Sequence, residues 1–232
     1  VALTPSADEL NGSVLATLRR LGIPLIAIGV PHHEETKLHS KQRLADAIIV
    51  ARDDEITLAD QAGYQPEQIH RVSPGVNVPE NRAPMNRTAA RVALGKALGD
   101  ISIGTYSPLG VCFSRLENSS GLLVLINAWR TIVSHWPDAR LWILGEGTQR
   151  GTLFEHIEAC GLASRVLLPG VMESIDELLC AANLMICVES AVNYLQALLS
   201  AMASGLPVVA SDDSAHRFVL DNNQHGLLFP AH

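Results

Sequence analysis

Arg115 is the residue most open to a chemical role. It comes just after the apolar run LGVCF (Leu109 to Phe113), so it is expected near the end of a buried strand. A fixed guanidinium at such a place can neutralise a bound phosphate, because open α/β sheets bind ligands at the carboxyl ends of their strands. The plainer alternative is a surface salt bridge. A second anion-binding element is the helix expected to start near Asn193, Tyr194 and Leu195, whose free amides and dipole suit a phosphate; ordinary helix initiation needs the same residues. Gly145-Glu146-Gly147 with Gly151 approaches GxGxxG but misses the third glycine by one place. It also lacks an acid placed for a ribose, so NAD binding is rejected. His32 and His33 follow the run IPLIAIGV and read first as solvated loop histidines.

Short β-branched runs alternating with helical stretches must position these groups. Residues 139–145 (ARLWILG), 165–170 (RVLLPG), 184–188 (LMICV), 207–211 (PVVAS) and 226–229 (GLLF) read as strands. Between them, TQRGTLFEHIEACG, SIDELLCAA with Ser174 as N-cap, and YLQALLSAMASG read as helices. That alternation predicts βαβ units and a parallel sheet covered on both faces. The first half repeats it: VALT, IPLIAIG, DAIIVA and QIHRVSPGV as strands, with helices in ADELNGSVLATLRRLG, HHEETKLHSKQRLA and EITLADQAG. Asn77 to Met85 holds two prolines, Pro79 and Pro84, and little apolar content, so the boundary is placed there, and NRTAARVALGKALG opens the second domain as a helix.

Composition removes several classes. The 232 residues carry a net charge of −7, and the 17 Lys and Arg are scattered rather than gathered on one face, which argues against nucleic acid. Cys112, Cys160, Cys180 and Cys187 lack CxxC spacing and read as small hydrophobes kept reduced. Nine histidines form no HExxH-like pair, and no metal is expected. Leu178 to Val188, the longest nearly apolar run, is too short for a bilayer. The residues from Val1 onward show no basic stretch followed by a hydrophobic block, so a signal peptide is not expected. The expectation is a soluble cytoplasmic chain, with peripheral membrane contact left open.

Four strings, in order, carry a family resemblance. ADAIIVARDDEITLADQAGYQPEQIHRVSPGVN looks like the end of a first GT-B domain. SRLENSSGLLVLINAW is similar to GRLxxxKGxxxLixAw. PDARLWILGEGTQRGTLFEHIEACGLASRVLLPGV is close to the family text, and ALLSAMASGLPVVAS resembles LLEAMAxGlPVVAs. Together, over about Ala45 to Phe229, they resemble the retaining GT-B glycosyltransferases of the group-1, or family-four, type. The resemblance implies two Rossmann-like parallel-sheet domains facing a cleft. Residues 1–80 would be the remainder of an acceptor-side domain, incomplete at its start, and 81–232 the nucleotide-sugar donor domain.

It also implies roles, and here the chain departs from the pattern. The Arg that neutralises the donor diphosphate is kept as Arg115, while the Lys five residues later is replaced by Ser120. Of two glutamates spaced eight apart, the first faces the sugar and the second the ribose; their positions hold Val192 and Ser200. Ser200 retains one hydrogen bond toward a ribose but not a carboxylate's two acceptors. A shifted turn would present Glu189 instead of Val192; loss of the carboxylate is the reading adopted. Gly145 would let a strand turn close to the donor, and Val171 would read the base through its main chain, its plain role being a core strand end. His32 would face the reacting sugar from the first domain.

The sequence therefore points to transfer of a sugar from a nucleotide-sugar donor to an unknown acceptor, with retention and without a cofactor. The alternative is a degenerate GT-B module that binds nucleotide, glycan or a partner protein without turnover, suggested by Ser120, Val192 and Ser200. An epimerase or hydrolase on the same scaffold would need paired carboxylates, and none is convincing. Oligomeric state is left open.

Overall fold

The computed structural model describes residues 2–4, 12–28, 45–76, 87–97, 103–104, 106–117, 120–172, 175–189, 194–221 and 224–230. His32, His33, Ser174, Val192, Asn193 and the expected linker 77–85 lie outside them. Contacts divide the chain into two compact units, Val1–Pro74 and Gly75–His232.

In the first unit, β1 (Ala2–Thr4), β2 (Leu25–Ile28), β3 (Ala47–Val50) and β4 (Ile69–Arg71) form a sheet in that order, every pair parallel. Helices α1 (Gly12–Arg20) and α2 (Asp53–Gln61) make two of the crossovers. Leu25, Ala27, Ile48 and Val50 bury one stripe of the sheet with Ala45, Ala59 and Tyr64. The Tyr64 hydroxyl accepts from the Ala45 amide at 3.2 Å. This lets an aromatic ring close the core without leaving its polar end unsatisfied.

In the second unit, α3 (Arg87–Ala97) precedes β5 (Leu109–Phe113), and the chain then alternates strictly. The order is α4 (Ser120–His135), β6 (Arg140–Leu144), α5 (Arg150–Ala159), β7 (Val166–Gly170), α6 (Asp176–Ala181) and β8 (Leu184–Cys187). It ends with α7 (Leu195–Ala203), β9 (Val208–Ser211), α8 (Ser214–Leu220) and β10 (Leu227–Phe229). The sheet order is β10-β9-β8-β5-β6-β7, all parallel. From β5 the chain winds outward through β6 and β7, then returns to the other side of β5 at β8. This is the doubly wound arrangement, and its switch point lies between β5 and β8. Both faces are covered, which is why β5, β6 and β8 are almost continuously buried.

Two differences from the sequence reading are physical. α6 has Ile175 as its N-cap, with no side-chain cap bond. α8, not expected from the sequence, is started by the Asp213 carboxylate, which accepts from the amides of Ala215 and His216. Its seven residues are too few for a clear hydrophobic period. None of the four cysteines is in a disulfide; burial pushes the Cys187 thiol up to about 12 and Cys112 well above its ordinary value. Among the described residues, no helix is long and apolar enough to cross a membrane.

Helix α4 is held to the sheet by a knob-in-gap contact. A Cβ on Gly110 would lie 2.7 Å from Trp129 Cη2, so the indole rests on bare backbone of the central strand. Trp129 is 2% exposed, and its Nε1 has no hydrogen-bond partner among the described residues. Trp129→Ala should therefore cost about 3–5 kcal/mol by emptying that gap. Trp129→Phe should cost clearly less, because it also removes an unsatisfied N–H. Urea unfolding of the two variants beside the parent measures both; equal losses would contradict this account.

Candidate functional site

The candidate residues are gathered by topology. Arg115 lies two residues beyond β5 and Ser120 opens α4. Gly145 follows β6, Val171 follows β7, and Tyr194 with Leu195 begins α7 after β8. Each follows a strand within two residues or begins the helix after it, and parallel strands put these places along one edge of the sheet. Ser200 lies further along, half-buried in the second turn of α7. Val171 is 76% exposed, so its plain alternative, a core position, does not apply.

Arg115 stands in a hook of chain built with little freedom. Ser114 N donates to Leu144 O at 2.9 Å, continuing the strand ladder one step past β5. Leu116 is fully buried with φ +50, a left-handed conformation that costs a non-glycine residue about 1–2 kcal/mol. Its amide donates to Ser114 Oγ at 3.2 Å, and its carbonyl accepts from Gln149 N at 2.9 Å. The turn after β6 is pressed against this hook. A Cβ on Gly145 would lie 1.7 Å from Ser114 O, and one on Gly147 would lie 2.1 Å from Arg115 O. Gly145 also has φ +134, which side chains avoid. These two glycines are the signal in GEG, and their work is close backbone approach.

The same economy brings α4 to the switch point. A Cβ on Gly121 would meet Val188 O at 3.0 Å, so the first turn of α4 packs directly on the residue after β8. Across that junction, Ser114 Oγ donates to Glu189 Oε1 at 2.7 Å. The Tyr194 phenol lies within electrostatic reach of both sides. Burial pushes it up to about 12, with the Glu189 carboxylate adding to the rise and the Arg115 guanidinium opposing it. Its hydroxyl has no partner among the described residues.

A second polar cluster follows β9. The His216 ring is fully buried, with Nδ1 2.8 Å from Ser211 O and 2.8 Å from an Asp213 carboxylate oxygen. Burial alone would raise Asp213. The hydrogen bonds it accepts from the His216 ring and from the amides of His216 and Ala215 outweigh that, and hold its carboxyl below the usual range. Asp212 pairs with Arg217 outside this cluster. Sequence reasoning gave no role to Ser114, Asp213 or His216 and weighed Glu189 only as a substitute for Val192, since each works through partners far along the chain or on a short helix. Among the described residues, no group of three or more His, Cys, Asp or Glu side chains is placed to hold a metal ion.

With this geometry in hand, comparison with known proteins is direct. Residues 107–232 match the family model described as glycosyl transferases group 1. The chain belongs to that family. It is 32% identical over 163 residues to phosphatidyl-myo-inositol mannosyltransferase of Mycobacterium leprae, covering 68% of this chain and 39% of the relative. It is 28% identical over 197 residues to D-inositol 3-phosphate glycosyltransferase of Corynebacterium urealyticum, covering 79% of this chain and 45% of that protein. The chain thus spans less than half the length of these relatives. Among solved structures, Anabaena HepE in complex with UDP and glucose superposes with a TM-score of 0.75 at 21% identity, covering 94% of this chain and 60% of HepE. WaaG, a glycosyltransferase of lipopolysaccharide biosynthesis, gives 0.69 at 17%, covering 94% of this chain and 67% of WaaG. The fold of this group-1 chain is α/β, its Rossmann-like parallel sheets those of GT-B proteins.

Two outcomes follow for this family member. Gly145→Ala places a methyl group inside the carbonyl of Ser114 and forces φ +134 on a side chain. It should cost about 3 kcal/mol or more, read by urea unfolding, and a midpoint equal to the parent's would refute the close approach. The lowered Asp213 carboxyl makes stability pH-dependent in a fixed direction. Its contribution is present above the unfolded carboxylate value of about 4 and is lost as pH falls through the lower folded value. Asp213→Asn should flatten the acid limb of the stability curve below about pH 4, measured as melting temperature against pH.

Proposed function

We propose that the chain is part of a glycosyltransferase that moves a sugar from a nucleotide-sugar donor to an acceptor hydroxyl with retention of anomeric configuration. Residues 81–232 bind the donor, and residues 1–80 belong to the acceptor side. The observation that carries this reading is the convergence, at the β5–β8 switch point, of Arg115 and the first turns of α4 and α7. Fixed positive charge and helix-terminal amides at one place suit a diphosphate. Family membership and a structural neighbour solved with UDP and glucose support the same ligand class. A cytoplasmic setting is part of the same proposal.

In this reading the bond between the anomeric carbon and the diphosphate oxygen breaks while the acceptor oxygen bonds to that carbon from the same face. The nucleoside diphosphate leaves with the electron pair, and its departing phosphate oxygen takes up the acceptor's proton. Arg115 and the amides of Tyr194 and Leu195 stabilise the charge gathering on the departing phosphate. Ser120 adds a hydroxyl where a cation would add more, and Ser200 offers a single hydrogen bond toward the ribose. Val171 offers main chain to the base, Gly145 keeps the turn beside the donor free of side chain, and Asn193 and His32 complete the proposed set. No step calls for a metal.

Two measurements test the reading. UDP should bind the parent in calorimetry, and Arg115→Ala should weaken it about tenfold or more, the worth of a charge-assisted bond of about 1.5–3 kcal/mol. No heat from UDP, GDP or ADP with the parent would sink the assignment. Turnover should be slow, because a stabilising group lost from such a site costs about 3 kcal/mol. Ser120→Lys combined with Val192→Glu and Ser200→Glu should raise donor hydrolysis well above the parent. A parent already as fast as the triple variant would mean these positions are not the missing groups.

A further inference from the structure

The hydrogen bond between Ser114 and Glu189 spans residues 75 apart in sequence and joins the two strand ends flanking the switch point. It is a polar contact with a shielded donor: Ser114 is 1% exposed, so its hydroxyl has little water to turn to. The same oxygen accepts the Leu116 amide at 3.2 Å, so one serine hydroxyl ties the carboxylate just beyond β8 to the residue on the far side of Arg115. Leu116 needs that tie, because its left-handed backbone is unfavourable for leucine and would relax if released. Arg115 itself projects into solvent, with its backbone fixed on both sides and no ion pair among the described residues. A serine stands where the family string GRLxxxKG has glycine, and Glu189 lies outside the strings that carry the resemblance.

We infer that Glu189 is a positioning residue. Its carboxylate, acting through the Ser114 hydroxyl, holds the Ser114–Leu116 hook and so fixes the direction in which the Arg115 guanidinium is presented at the switch point. Resting on the reading of this edge as a diphosphate site, the inference assigns Glu189 no contact with donor. A carboxylate beside an anion site should by charge alone weaken anion binding, so the two roles predict opposite signs for its removal. Positioning requires only an acceptor for the serine hydroxyl, which the side-chain carbonyl of glutamine supplies as well.

The experiment uses the whole chain and needs no ligand for its first arm. The Nε–H order parameter of Arg115, assigned by its loss in Arg115→Lys, is measured by NMR in the parent, Glu189→Ala, Glu189→Gln, Ser114→Ala and Ser114→Ala/Glu189→Ala. Positioning predicts a clear fall in Glu189→Ala and Ser114→Ala, the same fall and no more in the double variant, and a parent-like value in Glu189→Gln. UDP calorimetry is the second arm: about five- to tenfold weaker binding in the two single alanine variants, and parent-like binding in Glu189→Gln. Circular dichroism melting confirms that each variant is folded, and the mild Ser114→Ala and Glu189→Gln changes keep the test decisive if Glu189→Ala is not. An unchanged order parameter in both alanine variants overturns the inference. So does Glu189→Gln behaving like Glu189→Ala, or tighter UDP binding in Glu189→Ala. If UDP fails to bind the parent, the diphosphate reading falls, and the order parameter still decides whether Glu189 positions Arg115.

Discussion

The second unit depends on one short-range constraint: the turn after β6 must lie backbone-to-backbone against the hook after β5. No side chain fits between them, since a Cβ at Gly145 or Gly147 would fall within 1.7–2.1 Å of a carbonyl oxygen. Close approach lets Leu144 O receive the Ser114 amide, Gly170 O receive the Gly145 amide, and Leu116 O receive the Gln149 amide. Those bonds satisfy buried backbone where strands have ended and helices have not yet begun. They also hold Leu116 in its left-handed conformation. The exposed Arg115 is thereby carried on rigid backbone, and a rigid mount is what a charge needs to act on a transition state without first paying to reorganise.

Around that constraint, small residues set distances and large ones fill the gaps left. Gly110 receives the ring of Trp129, and Gly121 lets α4 reach Val188, so one helix is gripped by the sheet near its middle and at its start. On the other face, Arg91 reaches from α3 to three acceptors: Ala181 O, Gly104 O and Asn183 Oδ1, at 3.0, 2.6 and 2.7 Å. Asn183 Oδ1 also accepts the Leu109 amide, so one guanidinium links the start of β5, the end of α6 and the approach to β8. A buried cation is costly to desolvate, and the Arg91 guanidinium is accordingly lowered from its ordinary value by burial first and by Arg87 second. Its geometry fixes the amino-terminal side of the sheet as the glycine contacts fix the carboxyl-terminal side.

The polar edge divides into two environments. Near β5 and β8, an exposed guanidinium, a half-buried carboxylate and a half-buried tyrosine share one field; burial raises the phenol to about 12, with Glu189 adding to the rise and Arg115 opposing it. Beyond β9, Asp213 and the fully buried His216 are engaged in starting α8. The first set has polar atoms left over for a ligand; in the second, most are occupied by the fold itself.

The sequence by itself determined the class of fold and the ends of most elements. Buried strands such as Leu109–Phe113 and Arg140–Leu144 are apolar on both faces, and only a parallel sheet covered by helices accepts that. Arg115, Gly145, Val171, Tyr194 and Leu195 were legible as edge residues for the same reason, since each ends a run or opens the next. α8 was not legible, because seven residues led by an aspartate cap carry too little periodicity. The partner of Ser114 was not legible either. Nothing in a string shows that Ser114 and Glu189, 75 residues apart, meet at 2.7 Å. That meeting exists because the chain winds out through β7 and returns to lay β8 against β5, and strand order is decided by packing rather than by any local run of residues.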